Sequence, residues 1–180
     1  MEFDNALKYI GEFGLYQKKF YLLLNFAVMP LSAQLLVLVF VSAPPTWICL
    51  DLNSPTTDQQ CSTNGSVCSK SVYTSEFTTI GTEWDLVCAD SYKNELAQSV
   101  FMLGTMTGAP VCGNAADKYG RKELWMIAIT MSTFWGFLSS FSPNYYLFLI
   151  FRFLVGVFVG GGILVTFVLS TEMVGPTKRG

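Results

Sequence analysis

Asp117, Arg121 and Lys122 fall in the run Gly113-Asn114-Ala115-Ala116-Asp117-Lys118-Tyr119-Gly120-Arg121-Lys122, and Glu172 and Arg179 stand near the end of the 180-residue chain. A carboxylate and a planar guanidinium spaced this way can pair through charge-assisted hydrogen bonds and tie helix ends together. The chain has no histidine, so imidazole-based metal centres and His-based acid–base catalysis have little to draw on. Cys49, Cys61, Cys68 and Cys88 lie close together and Cys112 lies apart. Their spacings lack the paired C-x2-C pattern of a zinc site. An even set of four suits two disulfides in an oxidising compartment, with three pairings open. The tripeptide Asn64-Gly65-Ser66 is an N-glycosylation acceptor sequence. No metal site, cofactor, enzymatic centre or nucleic-acid surface is expected.

The elements that must position these residues are membrane helices. Half the chain (51%) is hydrophobic and only 13% is charged, against about 25% charged in a soluble domain. A bilayer span needs roughly 20 apolar residues, and four segments qualify: residues 20–42, 96–116, 124–141 and 145–171. Between them lie a long connection (43–95), a short loop (117–123) that carries the charged run, and a tight turn (142–144). Residues 1–19 precede the first span and 172–180 follow the last. The first apolar run is too long for a cleaved signal peptide, and Pro44-Pro45 follows it where a small-residue cleavage site would stand. It reads as an uncleaved signal anchor. Phe3, Leu7 and Ile10 recur at helical spacing, so the leading segment is expected to lie along the inner interface.

Charge orients the spans. With both ends on one side, Lys8, Lys18, Lys19, Lys118, Arg121, Lys122, Lys178 and Arg179 share that side, while Lys70 and Lys93 face the other. Basic residues mark the cytoplasm, which puts both termini inside and the cysteine-bearing connection outside or in a lumen. Asn64 is then accessible for glycosylation. Arg152 lies within the fourth span, where a charge at the helix centre costs about 2.5–3.5 kcal/mol on insertion scales. It must face protein or water, and Glu95 at the outer end of the second span is the nearest acidic candidate. Gly104 and Gly108, then Gly156, Gly160, Gly161 and Gly162, set small residues at helical spacing where helices can approach closely. Asn25, Ser32 and Gln34 are the polar residues of the first span.

The run G-x-x-x-D-x-x-G-R-K between the second and third spans resembles the main motif of the major facilitator superfamily. Glu172 followed by Arg179-Gly180 is similar to the acidic–basic motif after that family's fourth helix. Thr82-Glu83-Trp84-Asp85-Leu86-Val87-Cys88 resembles the run before helix two in its organic cation, carnitine and organic anion branch. Gly11-Glu12-Phe13-Gly14-Leu15-Tyr16-Gln17-Lys18 and Phe141-Ser142-Pro143-Asn144-Tyr145 are similar to that branch as well. The resemblance runs through nearly the whole chain, in the order of the spans.

That resemblance implies an all-α membrane fold: four helices of an incomplete N-terminal bundle, with a disulfide-bearing extracellular loop. The family has twelve helices in two halves, so the chain reads as a fragment or truncated form, inactive alone. Its partners would be the bilayer, a small organic ion and the remaining helices or a full-length relative. The parent would carry organic cations, carnitine-like zwitterions or anions across the plasma membrane by alternating access. Gly113, Asp117, Gly120, Arg121, Lys122, Glu172 and Arg179 would form a cytoplasmic gate. By placement on the motifs, Asn25, Leu31, Thr105, Ile163 and Phe167 are expected near the substrate cavity, where aromatic faces attract cations. The resemblance leans toward Cys49–Cys68 and Cys61–Cys88. A tetraspan scaffold protein and a regulatory truncated isoform are the competing readings.

Overall fold

The computed structural model of the chain describes residues 15–49, 71–73 and 78–173. In order, the elements are α1 (Leu15–Val41), β1 (Trp47–Cys49), β2 (Ser71–Tyr73), the one-turn helix α2 (Ile80–Glu83), a 3-10 turn (Cys88–Asp90), α3 (Tyr92–Tyr119), α4 (Arg121–Ser139) and α5 (Tyr145–Met173). They divide into two compact units. One is built on the chain up to Gln34 and from Phe101 onward, and the other on Leu35–Val100.

The helices outrun the apolar segments that define spans. At 29 residues, α5 is about 43 Å long at 1.5 Å per residue, against a hydrocarbon core of about 30 Å. Among the described residues, two stretches are long and apolar enough to cross a membrane, Lys18–Val41 and Tyr145–Glu172. In α3, polar residues at both ends (Lys93, Asn94 and Glu95; Asn114, Asp117 and Lys118) dilute the apolar run. In α4, Arg121, Lys122 and Glu123 occupy the first turn of a 19-residue helix.

The first unit buries narrow stripes and leaves broad apolar faces open. Leu24 and Leu31, seven apart on α1, are fully buried, whereas Leu22, Phe26 and Met29 are each more than half exposed. In water such a helix would forfeit most of its burial energy; a bilayer makes the exposed faces cheap. Between α3 and α5 the contact is backbone on backbone. A Cβ added at Gly104 would stand 3.1 Å from the Cα of Gly156, and one at Gly108 would stand 2.7 Å from the Cα of Val157. A Cβ at Gly160 would meet the Cα of Thr105 at 2.8 Å. The glycine stripes therefore meet each other and act in packing. On the other flank, Gln34 Nε2 of α1 would lie 2.8 Å from a Cβ at Gly136 of α4.

Leu24, Ala116, Trp125, Val165 and Leu169 form a core cluster that joins α1, α3, α4 and α5. Hydroxyls inside the helices bond their own backbone: Ser32 Oγ donates to Val28 O (3.1 Å), Thr105 Oγ1 to Met102 O (2.8 Å) and Thr130 Oγ1 to Met126 O (2.9 Å). Each satisfies its hydroxyl without a partner helix, a necessity in hydrocarbon.

The second unit holds a feature absent from an all-α expectation. β1 and β2 pair antiparallel with Trp47 opposite Tyr73 and Cys49 opposite Ser71. Three-residue strands are too short to show alternation in sequence. Trp47 and Val87 are buried together, with Tyr73 and Cys88 packed on them. Tyr73 Oη donates to Asp85 Oδ1 at 2.5 Å. A Cβ at Gly81 would come within 2.7 Å of Pro45 Cδ, so the Pro-Pro corner sits on that glycine. Asp85 and Cys88 take left-handed φ values of 51° and 55°, folding the Trp84–Cys88 run into a tight knot.

Candidate functional site

The charged run is not a loop. Helix α3 continues to Tyr119, α4 begins at Arg121 and the joint is Gly120 alone. Its φ of 101° and ψ of 132° lie where only glycine rests without strain. Nothing stands within 4 Å of a Cβ built there, so the requirement is conformational rather than one of space. The backbone ladder carries on across the break, with Gly120 N donating to Ala116 O at 3.0 Å and Leu124 N to Gly120 O at 3.2 Å.

This joint sets Asp117 in the last turn of α3 and Arg121 in the first turn of α4. Arg121 Nη2 lies 3.3 Å from Asp117 Oδ1, and its Nη1 donates to Glu172 Oε1 in the last turn of α5. One guanidinium thus joins three helix ends. Arg121 is one-third exposed and Glu172 about half, so each pair contributes about 0–1 kcal/mol. Helix dipoles oppose all three charges, since acids are disfavoured at C-termini and bases at N-termini by about 0.3–1 kcal/mol each. The cluster is held by mutual pairing against the fields of its own helices. Each pair is weak, which suits a contact that forms and breaks.

Beneath it lies a cleft of about 140 Å³ lined by Gly113, Ala116 and Asp117 of α3, Arg121, and Leu164, Val165 and Val168 of α5. Gly113 is close-fitting but not crowded, with Leu164 Cδ2 at 3.7 Å from a built Cβ. Lys122 points to solvent. Lys118 stacks over the ring of Tyr119, 5.7 Å from its centroid.

One turn inward from Arg121, the indole Nε1 of Trp125 donates to Thr166 Oγ1 at 2.9 Å, buried between α4 and α5. Thr166 Oγ1 in turn donates to Gly162 O at 2.6 Å. The sequence reading passed over this pair. The available signal was a tryptophan four residues past Arg121 on the same face, because a buried indole N–H needs an acceptor.

Arg152 is 5% exposed on the inward stripe of α5. Its guanidinium carbon lies 5.0 Å from the Phe148 ring centroid, and Nε and Nη1 have no hydrogen-bond partner among the described residues. The described acids of its own unit are Asp117, Glu123 and Glu172, all near the inner cluster. Glu95 belongs to the second unit.

Of the residues expected near a cavity, Leu31 is fully buried, its Cδ1 3.1 Å from a Cβ built at Gly162; it serves helix packing. Asn25 is exposed and caps Tyr21 O through Nδ2 at 2.8 Å. Thr105 is partly buried, Ile163 is 38% exposed and Phe167 is 70% exposed. Cys88 is disulfide-bonded, and Cys112 is free and buried. Asn64, Cys61, Cys68, Arg179 and the Phe3, Leu7 and Ile10 stripe lie outside the described residues, as does the Cys49 side chain.

Residues 68–180 match the family described as the Major Facilitator Superfamily. The chain belongs to that superfamily of multi-pass membrane transport proteins. It is 35% identical over 174 residues to a protein named "Organic cation/carnitine transporter 4" of Arabidopsis thaliana, covering 96% of this chain and 33% of the relative. It is 33% identical to "Solute carrier family 22 member 15-like" of Xenopus tropicalis, over 97% of this chain and 35% of the relative. Over 60% of its length it is 41% identical to "Organic anion transporter 3" of Mus musculus, covering 20% of that protein. The chain therefore spans about a third of the length of the first two relatives.

Proposed function

We propose that these 180 residues supply four spanning helices, α1, α3, α4 and α5, to an alternating-access carrier of small organic ions. The Asp117–Arg121–Glu172 cluster is its inner-face latch. The observation that carries this reading is the single guanidinium that joins three helix ends through weak, partly exposed pairs. A contact of that kind can bias a two-state equilibrium without freezing it. Relatives named for organic cations, carnitine and organic anions supply the substrate class. Asn25, Thr105, Ile163 and Phe167 are the side chains proposed to face the pathway.

Both ends of the chain are proposed to lie in the cytoplasm, on the side rich in Lys and Arg, with the connection over residues 43–95 on the outer face of the plasma membrane. Both bundles of such a carrier are needed to form its central site, so the 180 residues alone are expected to transport nothing. Membership of a transport superfamily leaves little room for a tetraspan scaffold. The test is uptake of a panel of organic cations, anions and carnitine-like zwitterions by the full-length carrier. Arg121→Gln and Glu172→Gln should each change turnover, and the exchange Arg121→Glu with Glu172→Arg should restore part of it. Parent-like uptake in both single variants refutes the latch. Saturable, competitor-sensitive uptake by the purified 180-residue chain in liposomes refutes the requirement for further helices.

A further inference from the structure

We infer that Trp125 is a positioning residue for the charge cluster: its hydrogen bond to Thr166 pins the register of α4 against α5, so that Arg121 meets Glu172. The inference rests on the latch reading and goes one step beneath it. Arg121 and Trp125 are four residues apart, on one face of α4. Val165, Leu169 and Glu172 follow one face of α5 at intervals of four and three. Trp125 packs in the same cluster as Val165 and Leu169, directly inward of the pair that Arg121 and Glu172 make.

Apolar packing alone leaves a helix pair free to slide or rotate by small amounts, because methyl and methylene contacts have little directional preference. A hydrogen bond does not, since it weakens steeply away from linear geometry. The Trp125 Nε1 to Thr166 Oγ1 bond, at 2.9 Å and buried, is a directional contact between these two helices one turn inward of the latch. Thr166 is itself fixed, because its hydroxyl hydrogen is committed to Gly162 O at 2.6 Å. That leaves an oxygen lone pair aimed outward, at the indole. The acceptor is thus oriented by its own helix before Trp125 arrives. A long Arg121 side chain, one-third exposed, could not by itself hold two helices to one register; it would follow them.

The proposal separates two roles that a deletion would confuse. Trp125→Phe keeps most of the ring and removes the N–H. Thr166→Val keeps the shape and removes the acceptor, while Thr166→Ser keeps the acceptor. Spin labels at the exposed positions Met126 and Phe167 report the α4–α5 register by pulsed distance measurement on the 180-residue chain in nanodiscs. The unsubstituted chain and Thr166→Ser should give one narrow distribution. Trp125→Phe and Thr166→Val should broaden or shift it. Distributions for those two variants that superimpose on the parent overturn the inference, whatever the latch does.

Transport by the full-length carrier supplies the second readout. Trp125→Phe should alter turnover in the same direction as Arg121→Gln with KM unchanged, and the double variant should match Arg121→Gln alone. Full additivity of the two substitutions overturns the positioning role. A register that loosens as expected while Arg121→Gln and Glu172→Gln transport like the parent sinks the latch reading and spares the pin.

Discussion

Replacing Gly108 by alanine tests the backbone contact between α3 and α5. The new Cβ would stand 2.7 Å from both Cα and C of Val157, whereas carbon atoms rest at about 3.5–4.0 Å. The helices must therefore separate by about 1 Å, which also loosens the Gly104–Gly156 and Thr105–Gly160 contacts along the same seam. Overpacking of this kind costs about 1–3 kcal/mol. With several backbone atoms in the way and no side chain able to swing aside, the upper end applies. Alanine returns about 0.8–1.0 kcal/mol as the better helix former, leaving a net loss of about 2 kcal/mol. Gly113→Ala is the matched control: its Cβ would meet Leu164 Cδ2 at an ordinary 3.7 Å, so only the propensity gain remains. The two variants should differ by about 3 kcal/mol, on the order of a hundredfold in the folding equilibrium. Cys112, free and buried beside Gly161, is a built-in reporter. A thiol-reactive dye followed during heating in detergent should label it several degrees earlier in Gly108→Ala than in Gly113→Ala. Equal midpoints would refute the argument that backbone proximity, rather than apolar area, holds this seam.

Three further outcomes are expected. Gly120→Ala and Gly120→Asn should each destabilise the hairpin by about 1–3 kcal/mol through backbone strain, because φ 101° with ψ 132° lies outside the left-handed region that asparagine tolerates; thermal midpoints of both variants below that of the parent check it. Passage through a glycosylating secretory pathway should add a glycosidase-sensitive mass that disappears in Asn64→Gln, and modification of the site from the cytoplasm would reverse the topology. Peptide mapping without reductant should find two disulfides among Cys49, Cys61, Cys68 and Cys88, with Cys112 as the free thiol. Four free thiols in secretory-pathway material would remove the outer framework.

The four long helices were legible because hydropathy senses the thickness of hydrocarbon, and their extent was not, because hydropathy is blind to hydrogen-bond ladders. Residues 121–123 are charged and were read as loop. They are also good helix formers, and α4 starts with them. The joint was visible through Gly120, whose freedom at positive φ is a local property. Asp117, Arg121 and Glu172 could be singled out by type and spacing, since salt-bridging residues are few in so apolar a chain. Trp125 could not, because an indole in a membrane helix reads first as an apolar or interfacial side chain, and its acceptor lies 41 residues away. The burial of Leu31 against Gly162 was not legible for a similar reason: one leucine on a helix that is apolar all round carries no sign of which face is covered. The β1–β2 ribbon depends on pairing across a long connection, which local pattern does not encode.

The one-residue joint at Gly120 has a mechanical consequence. Two torsion angles are all that separate the inner end of α3 from the start of α4, so the joint behaves as a hinge without slack. Helices α3 and α5 are clamped along their glycine seam, and α4 and α5 are bolted at Trp125 and Thr166. Three struts joined at three points make a triangulated frame, and such a frame cannot shear unless a joint gives way. What can change inside the frame is its rim, where the partly exposed Arg121 and Glu172 side chains can part and rejoin while the three helices keep their places.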